Sequence, residues 1–468
     1  MKIRRAIPPG GLGGSLWMSL LVSWAAVLLF PLVSGPAAVL EAQETHRIWG
    51  RVQTAAGRVY EGFIRWDRNE ASWADLLSGS KESSGEAEAL WMELTEGADS
   101  RRDRVIEVFD VRISWDDREF PGTAESGIRF GQVRRLEVVD DQTVELELKS
   151  GMVVELQGGS TDLGEDIREI LVEVPGERTA ELRWLDLDEI QFGPAPPTAR
   201  PAADRLFGTV VDEYGRRHTG YISWDMDEAL TTDTLDGYEE DREREILFGR
   251  ISSIENASGE ARVILKDGEE MILSGSNDVD DGNRGIQISD PGLGLVDVPW
   301  DQFRSIRFHD AEAHLGYDAF DGGHRLRGTV VTREGEEYSG WILWDADEEY
   351  SWELLDGAQR DGRGEVADDV EFGMIASIEP VFRQNTNVSG SVTGVTVDVD
   401  AILGAEVTLL DGRVMVLEGS NDVNDDNKGI FIQVDPGVEA DPDEARSGVG
   451  GGWLLVKWSD FKRIHFEH

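Results

Sequence analysis

The chain contains no cysteine and little lysine. Of its 468 residues none is Cys, and only seven of the 45 basic residues are Lys. The lack of cysteine excludes disulfide scaffolds, thiol nucleophiles and thiolate metal sites. The 93 acidic residues give a formal net charge of −48. We therefore expect no binding to nucleic acid or to an anionic membrane, because phosphate contacts need clustered Lys and Arg.

Motifs of catalysis are also missing from the sequence. The seven His are scattered without a paired metal-ligand spacing, and neither a Gly-x-Ser-x-Gly elbow nor a Walker phosphate loop occurs. Carboxylate pairs carry no information in a chain with so many acids. We therefore nominate no catalytic and no cofactor-binding residue, and we expect a protein that is not an enzyme.

The first 42 residues have the layout of an export signal. A basic start with Lys2, Arg4 and Arg5 precedes an apolar run from Leu16 to Val33, and small residues lead to Ala42. This order predicts a signal peptide over residues 1–42, cleaved near Ala42, and export to the periplasm or the extracellular space. The alternative is an uncleaved membrane anchor. No second apolar run is long enough to span a membrane after cleavage.

The main feature of the rest is a pattern that occurs three times. A glycine is followed by a turn glycine after 7 residues, a strand glycine after 12 and a Trp-Asp pair after 16. The Trp-Asp pairs are Trp66-Asp67, Trp224-Asp225 and Trp344-Asp345. Phe-Gly pairs, hairpins with Asp-Gly turns and a closing Trp continue the register, which indicates tandem repeats.

The pattern divides the chain into three repeat units and two linkers. The units cover residues 46–193, 205–309 and 325–468, and the linkers cover the Pro-rich residues 194–204 and the acidic residues 310–324. Unit 1 carries an insertion at about residues 80–125. Unit 3 carries a polar insertion at 384–396 and a glycine-rich one at 447–452, and such compositions are typical of exposed, mobile loops.

Short apolar stretches of period two, bounded by turn residues, predict an all-β protein. We expect three tandem units of small, strongly bent antiparallel β-barrel type, each of them either one barrel or two smaller ones. Glycine within a strand, as at Gly340, favours a sharp bend.

The first half of each unit resembles the Sm-like small β-barrels. In unit 3 the resemblance is carried by Gly335, Tyr338, Gly340, Ile342, Asp345, Leu355-Asp356 and the segment 372–378. It implies a five-stranded, strongly bent barrel. The Arg of that family's Arg-Gly pair is replaced by Phe130, Phe248 and Phe372. The resemblance therefore does not extend to RNA binding.

Two loops concentrate oxygen-bearing side chains of the kind that Ca²⁺ prefers. The candidate ligands are Asn277, Asp278, Asp280, Asp281 and Asn283 in unit 2, and Asn421, Asp422, Asn424, Asp425 and Asp426 in unit 3. Arg284 and Lys428 follow closely enough to neutralise them. The alternative interpretation is a turn whose Asp and Asn side chains bond to local backbone.

The Trp-Asp pairs also allow two interpretations. An exposed Trp beside a carboxylate could stack on a sugar. In an alternating strand, however, the two side chains face opposite sides, which favours Trp in the core and Asp capping the next turn. The closing Trp184, Trp300 and Trp458 are likewise predicted to lie in the core.

The sequence thus favours an exported, acidic, non-enzymatic repeat protein that acts as a binding or scaffold module, with weak calcium sites in its Asp/Asn loops. Two alternatives stay open: a secreted carbohydrate-binding protein that uses Trp on its barrel faces, and a hydrolase carried by the insertion in unit 1, around residues 91–115. The expected partner is a protein or a glycan.

Overall fold

We describe a computed structural model of the chain, in which residues 45–82, 89–90, 123–158, 162–257, 259–311, 315–361, 364–383, 401–434 and 452–468 are described. These residues form antiparallel β-sheets joined by tight turns and short 3₁₀ helices, which confirms the all-β prediction. The predicted signal peptide, the centre of the unit 1 insertion and nearly all of both unit 3 insertions lie outside the described residues.

Unit 1 contains ten strands and two 3₁₀ helices among the described residues. They are β1 (Trp49–Thr54), β2 (Val59–Trp66), β3 (Leu76–Glu82), β4 (Thr123–Arg129), η1 (Phe130–Gln132), β5 (Val133–Val138), β6 (Thr143–Leu148), β7 (Val153–Gln157), β8 (Ile170–Glu173), β9 (Ala180–Leu182), η2 (Trp184–Asp186) and β10 (Leu187–Phe192).

Unit 2 has ten strands and one 3₁₀ helix in its described part, and a further 3₁₀ helix lies in the linker to unit 3. They are β11 (Phe207–Asp212), β12 (Arg217–Trp224), β13 (Thr234–Glu239), β14 (Arg242–Leu247), η3 (Phe248–Arg250), β15 (Ile251–Asn256), β16 (Ala261–Leu265), β17 (Glu270–Leu273), β18 (Ile286–Asp290), β19 (Gly294–Val298), β20 (Phe303–Phe308) and η4 (Tyr317–Ala319).

The strands of unit 3 follow the same order wherever it is described. Its elements are β21 (Arg327–Thr332), β22 (Glu337–Trp344), β23 (Leu354–Asp361), β24 (Gly364–Glu371), η5 (Phe372–Met374), β25 (Ile375–Arg383), β26 (Ala401–Leu409), β27 (Val414–Leu417), η6 (Asn421–Val423), β28 (Ile430–Val434), β29 (Trp453–Val456) and β30 (Phe461–Phe466).

The three large sheets share one order of eight strands. In unit 1 eight strands run β7-β6-β5-β10-β1-β2-β8-β9, and the corresponding strands of units 2 and 3 have the same order. The remaining two strands of each unit form a hairpin: β3–β4, β13–β14 and β23–β24. The pairings that we describe give open strand orders, and closure of each unit into a barrel stays a prediction.

Glycines act at the two positions that the pattern singled out. The turn glycines Gly57, Gly215 and Gly335 have φ of 76°, 84° and 92°, which a side chain would disfavour. The strand glycines Gly62, Gly220 and Gly340 lie against a neighbouring backbone, because a Cβ there would come within 2.1–2.4 Å of a carbonyl oxygen. Close strand approach therefore explains these glycines.

Strand pairing also joins two units. The hairpin β23–β24 of unit 3 pairs with β19 of unit 2, with Leu295 opposite Asp369 and Val296 opposite Asp368. One hydrophobic core consequently runs through units 2 and 3. The core of unit 1 takes in Tyr317 and Phe320 from the second linker and Trp352 from unit 3. The described residues thus form one compact unit.

Candidate functional site

The Trp-Asp pairs lie at the centre of each unit. Trp66, Trp224 and Trp344 are fully buried, as are the closing Trp184, Trp300 and Trp458 to within 5%. The prediction that these rings belong to the core is confirmed. The indoles of the three pairs are therefore not available to a sugar.

The Trp of each Trp-Asp pair forms a hydrogen bond to the backbone of an Asp/Asn loop or, in unit 1, of the corresponding segment. The indole Nε1 of Trp66, Trp224 and Trp344 donates to the backbone oxygen of Asp162, Asp278 and Asp422, at 2.8, 2.9 and 3.1 Å. In turn, the side chain of each of these Asp residues accepts a backbone N–H from the hairpin of its own unit. The loop is thus bonded to both the core and the hairpin.

In unit 2 the predicted calcium ligands make local hydrogen bonds. Asp278 accepts from the backbone N of Asp236 at 2.7 Å, and Asn277 Nδ2 donates to Asp225 Oδ2 at 2.5 Å. Asp280 accepts from the N of Gly282. Asn283 accepts from the N of Gly285 and donates to the oxygen of Asp278, while Asp281 is exposed.

Unit 3 repeats this arrangement. Asp422 accepts from the N of Asp356, Asn421 Nδ2 donates to Asp345 Oδ2 at 2.7 Å, and Asn424 accepts from the N of Asp426. Asp425 and Asp426 are exposed. Across the described residues, no group of three or more His, Cys, Asp or Glu side chains is placed to hold a metal ion. The loops have the geometry of Asx turns, and calcium binding by them stays a prediction.

The Asp of each Trp-Asp pair is buried and bonds to the residue that ends the Asp/Asn loop or its unit 1 counterpart. Asp67, Asp225 and Asp345 have φ of 38°, 48° and 46° and no exposed surface. Each accepts the backbone N–H of the cation that closes the loop: Arg168, Arg284 or Lys428. The same cation forms an ion pair with that Asp. Arg284 and Lys428 therefore compensate these buried carboxylates rather than the loop acids.

A third acid of each unit escaped the sequence analysis. Glu70, Glu228 and Glu348 follow the paired Asp by three residues, and in every unit the buried Oε2 has no hydrogen-bond partner. Burial raises the pKa of Glu228 to about 9 and raises the pKa of Glu70 and Glu348 well above the usual range. The threefold Asp-x-x-Glu spacing was the available signal.

A fourth carboxylate joins the units. Asp75, Asp233 and Glu353 each accept two backbone N–H groups of the preceding turn. Each also forms an ion pair with a cation of another unit: Asp75 with Arg205, Asp233 with Arg65, and Glu353 with Lys81. This position therefore serves the turn and the packing of the units together.

Arg129 contacts all three units. Its guanidinium donates to the oxygen of Ala74 in unit 1, to the oxygen of Asp290 in unit 2 and to the carboxylate of Glu371 in unit 3. The Arg129 Nε to Glu371 Oε2 distance is 2.5 Å, and both side chains are at least 97% buried. Loss of either partner would leave an uncompensated buried charge at the point where the units meet, which is strongly destabilising.

A small cavity of about 160 Å³, lined by Leu295 and Asp369 among others, and two larger cavities lie between the units. One of about 400 Å³ lies at the junction of units 1 and 2 and is lined by Glu70, Asp162 and Arg168 from unit 1 and by Met226 and Arg284 from unit 2. Another, of about 440 Å³, lies between units 1 and 3 beside Lys81 and Trp352. Both fall in the size range of small-molecule sites.

One cluster contains the residue types of a hydrolytic triad. Ser351 Oγ lies 3.4 Å from Nδ1 of His324, and Asp321 Oδ2 lies 3.9 Å from the same nitrogen. A triad needs the hydroxyl and the carboxylate at opposite ring nitrogens. This cluster therefore cannot relay a proton from Ser351 through the ring.

Comparison with protein-family models, with curated proteins and with solved structures finds no match for this chain. The resemblance to the Sm-like barrels thus stays a prediction. Within the part of the chain that the structure describes, none of the helices has the length and apolar character needed to cross a membrane.

Proposed function

We propose that the chain is an exported, non-enzymatic binding module that presents a rigid acidic surface to a basic protein partner. The observation that carries the proposal is the fixed arrangement of the units through buried ion pairs, with Arg129 at the point where they meet. Such an arrangement suits a surface of constant shape. Its excess of carboxylates would attract a basic protein and steer it into contact.

The distribution of cations supports this proposal. Arg135, for example, lies within 4 Å of carboxylates of Glu137, Glu145, Glu147 and Glu189. Arg168 and Arg284 are similarly compensated. The acidic residues outnumber the basic residues by 48. The carboxylates without a basic partner therefore make the electrostatic field around the protein negative.

A column test separates recognition by shape from simple ion exchange. The chain without residues 1–42 is immobilised, a polyglutamate column of equal charge serves as the control, and extracellular proteins of the source cells pass over both at about 0.15 M salt. We expect a basic protein that the folded chain retains and polyglutamate does not, and that elutes as salt rises. If both columns retain the same proteins, or if the retained partner is acidic or a glycan, the proposal is wrong.

The hydrolase alternative has its own test. Residues 80–82 and 123–125 belong to β3 and β4, so the insertion should be removed as residues 83–122 and replaced by a short turn. Equal results of an activity screen with and without this segment would dismiss the insertion as a catalytic element.

A further inference from the structure

The cavity between units 1 and 2 is lined by a buried carboxyl that belongs to none of the ion pairs described above. Glu70 lines this cavity of about 400 Å³ and is only 5% exposed, and its Oε2 has no hydrogen-bond partner. An unpartnered buried carboxyl costs free energy, so a well-folded protein needs a reason to keep one. The feature is independent of the acidic outer surface considered above.

The cations in the cavity wall are engaged with other acids. Arg168 is bonded to Asp67 and Arg205 to Asp75, each through both carboxylate oxygens. Arg284 binds Asp225. None of these three pairs includes Glu70. Arg168 and Arg205 lie near enough to act on its charge, but both are bonded to other acids, so the Glu70 carboxyl is the one that a ligand cation could pair with.

The remaining wall restricts the kind of ligand. Leu76, Met226 and Leu295 contribute apolar surface, while Ser78 and Gln287 contribute polar groups. A metal ion would need several converging ligands, and the described residues contain no suitable group of three acids or His. The other two acids of the lining, Asp75 and Asp162, accept hydrogen bonds from groups of the protein, so Glu70 is the acid left beside the apolar surface. A carboxyl in that position suits an ammonium group on an alkyl chain, which donates to the acid and buries its methylenes.

We propose that this cavity is a binding site for a small organic cation, a primary amine on a short alkyl chain, with Glu70 as its counter-ion. The equivalent Glu228 of unit 2 does not line this cavity, and it supplies a matched control. Because burial raises the pKa of Glu70, an amine that binds as a cation must displace the carboxyl proton. Binding therefore releases a proton and strengthens as pH rises.

The test is calorimetric titration of the chain without residues 1–42 with 1,4-diaminobutane and n-butylamine, and with n-butanol and Ca²⁺ as comparison probes. Amine binding should weaken on the order of tenfold or more in E70Q, as expected for loss of a charge-assisted hydrogen bond, and should be unchanged in E228Q. The heat should differ between buffers of different ionisation enthalpy, as proton release requires.

Several outcomes would overturn the proposal. They are absence of amine binding to the wild-type chain, equal affinity for E70Q and wild type, equal binding of butanol, and a Ca²⁺ signal that E70Q abolishes while the amines give none. The melting temperature of E70Q, compared with that of E228Q, shows whether the variant is folded. If E70Q does not fold, competition between the two amines and butanol on the wild-type chain decides the ligand class.

Discussion

Removal of the Arg129 guanidinium should weaken the contact among all three units. In R129M the carboxylate of Glu371, 3% exposed, would lose its cation while staying buried. Breaking a buried pair by removing one partner costs about 3–5 kcal/mol. For roughly 400 residues this corresponds to a fall in melting temperature of about 4–6 °C.

The double variant R129M/E371L tests the origin of that loss. It leaves no unpaired charge, so part of the stability should return. The backbone oxygens of Ala74 and Asp290 would still lack the donor that Arg129 gives them. This accounts for a residual loss of about 1–3 kcal/mol.

Urea unfolding followed by Trp fluorescence measures these differences, because the central indoles lie in the cores of the three units. The control is R134A, which removes an exposed Arg134–Glu147 pair and should cost less than about 1 kcal/mol. An R129M variant as stable as R134A, or a double variant less stable than R129M, would refute the reasoning.

Three further predictions concern titration, strand contact and calcium. Burial raises the pKa of Glu228 to about 9, so the folded state binds this proton more tightly than the unfolded state. The contribution of Glu228 to stability is therefore present at low pH and declines between about pH 4.5 and 9. E228Q should show a shallower decline in melting temperature over this range, and an unchanged slope would contradict the prediction. In G294A a Cβ would lie 1.9 Å from the oxygen of Asp369, so its urea midpoint should fall further than that of G335A, where only φ of 92° opposes alanine; equal midpoints would count against the β19–β24 contact. For calcium, the sequence-based prediction requires a titration heat and a rise in melting temperature that D278N weakens, and silence in the wild-type chain would remove the metal.

Local patterns were sufficient to predict the strands, the turn glycines and the buried Trp rings. Period-two alternation and turn residues act over a few positions, so Gly57 and Trp66 could be interpreted without tertiary contacts. The Asp of each pair was placed on the opposite side from Trp, but its partner was missed. Asp67 reaches Arg168, which is 101 residues away in the chain, and no local spacing reports such a contact.

The contacts between units were beyond sequence reasoning for the same reason. Arg129 and Glu371 are 242 residues apart, and neither belongs to a motif. The composition of the two linkers indicated no contact with the units. In the structure both linkers contact unit 1: the backbone oxygen of Ala203 accepts a hydrogen bond from Arg47, and that of Tyr317 accepts one from Lys149. Burial of these polar contacts depends on packing that a single sequence does not display.

The joining of the units is tested most directly by a disulfide between β19 and β24. Leu295 and Asp369 are opposite residues of this strand pair and line the same small cavity, and Cα atoms of paired strands lie about 4.5–5.5 Å apart, within disulfide reach. Because the chain has no cysteine, L295C/D369C should form an intramolecular bond on mild oxidation. L295C/E365C, displaced by four residues or roughly 13 Å, should not. Free thiols in the first variant, or equal bond formation in both, would contradict the arrangement of units described above.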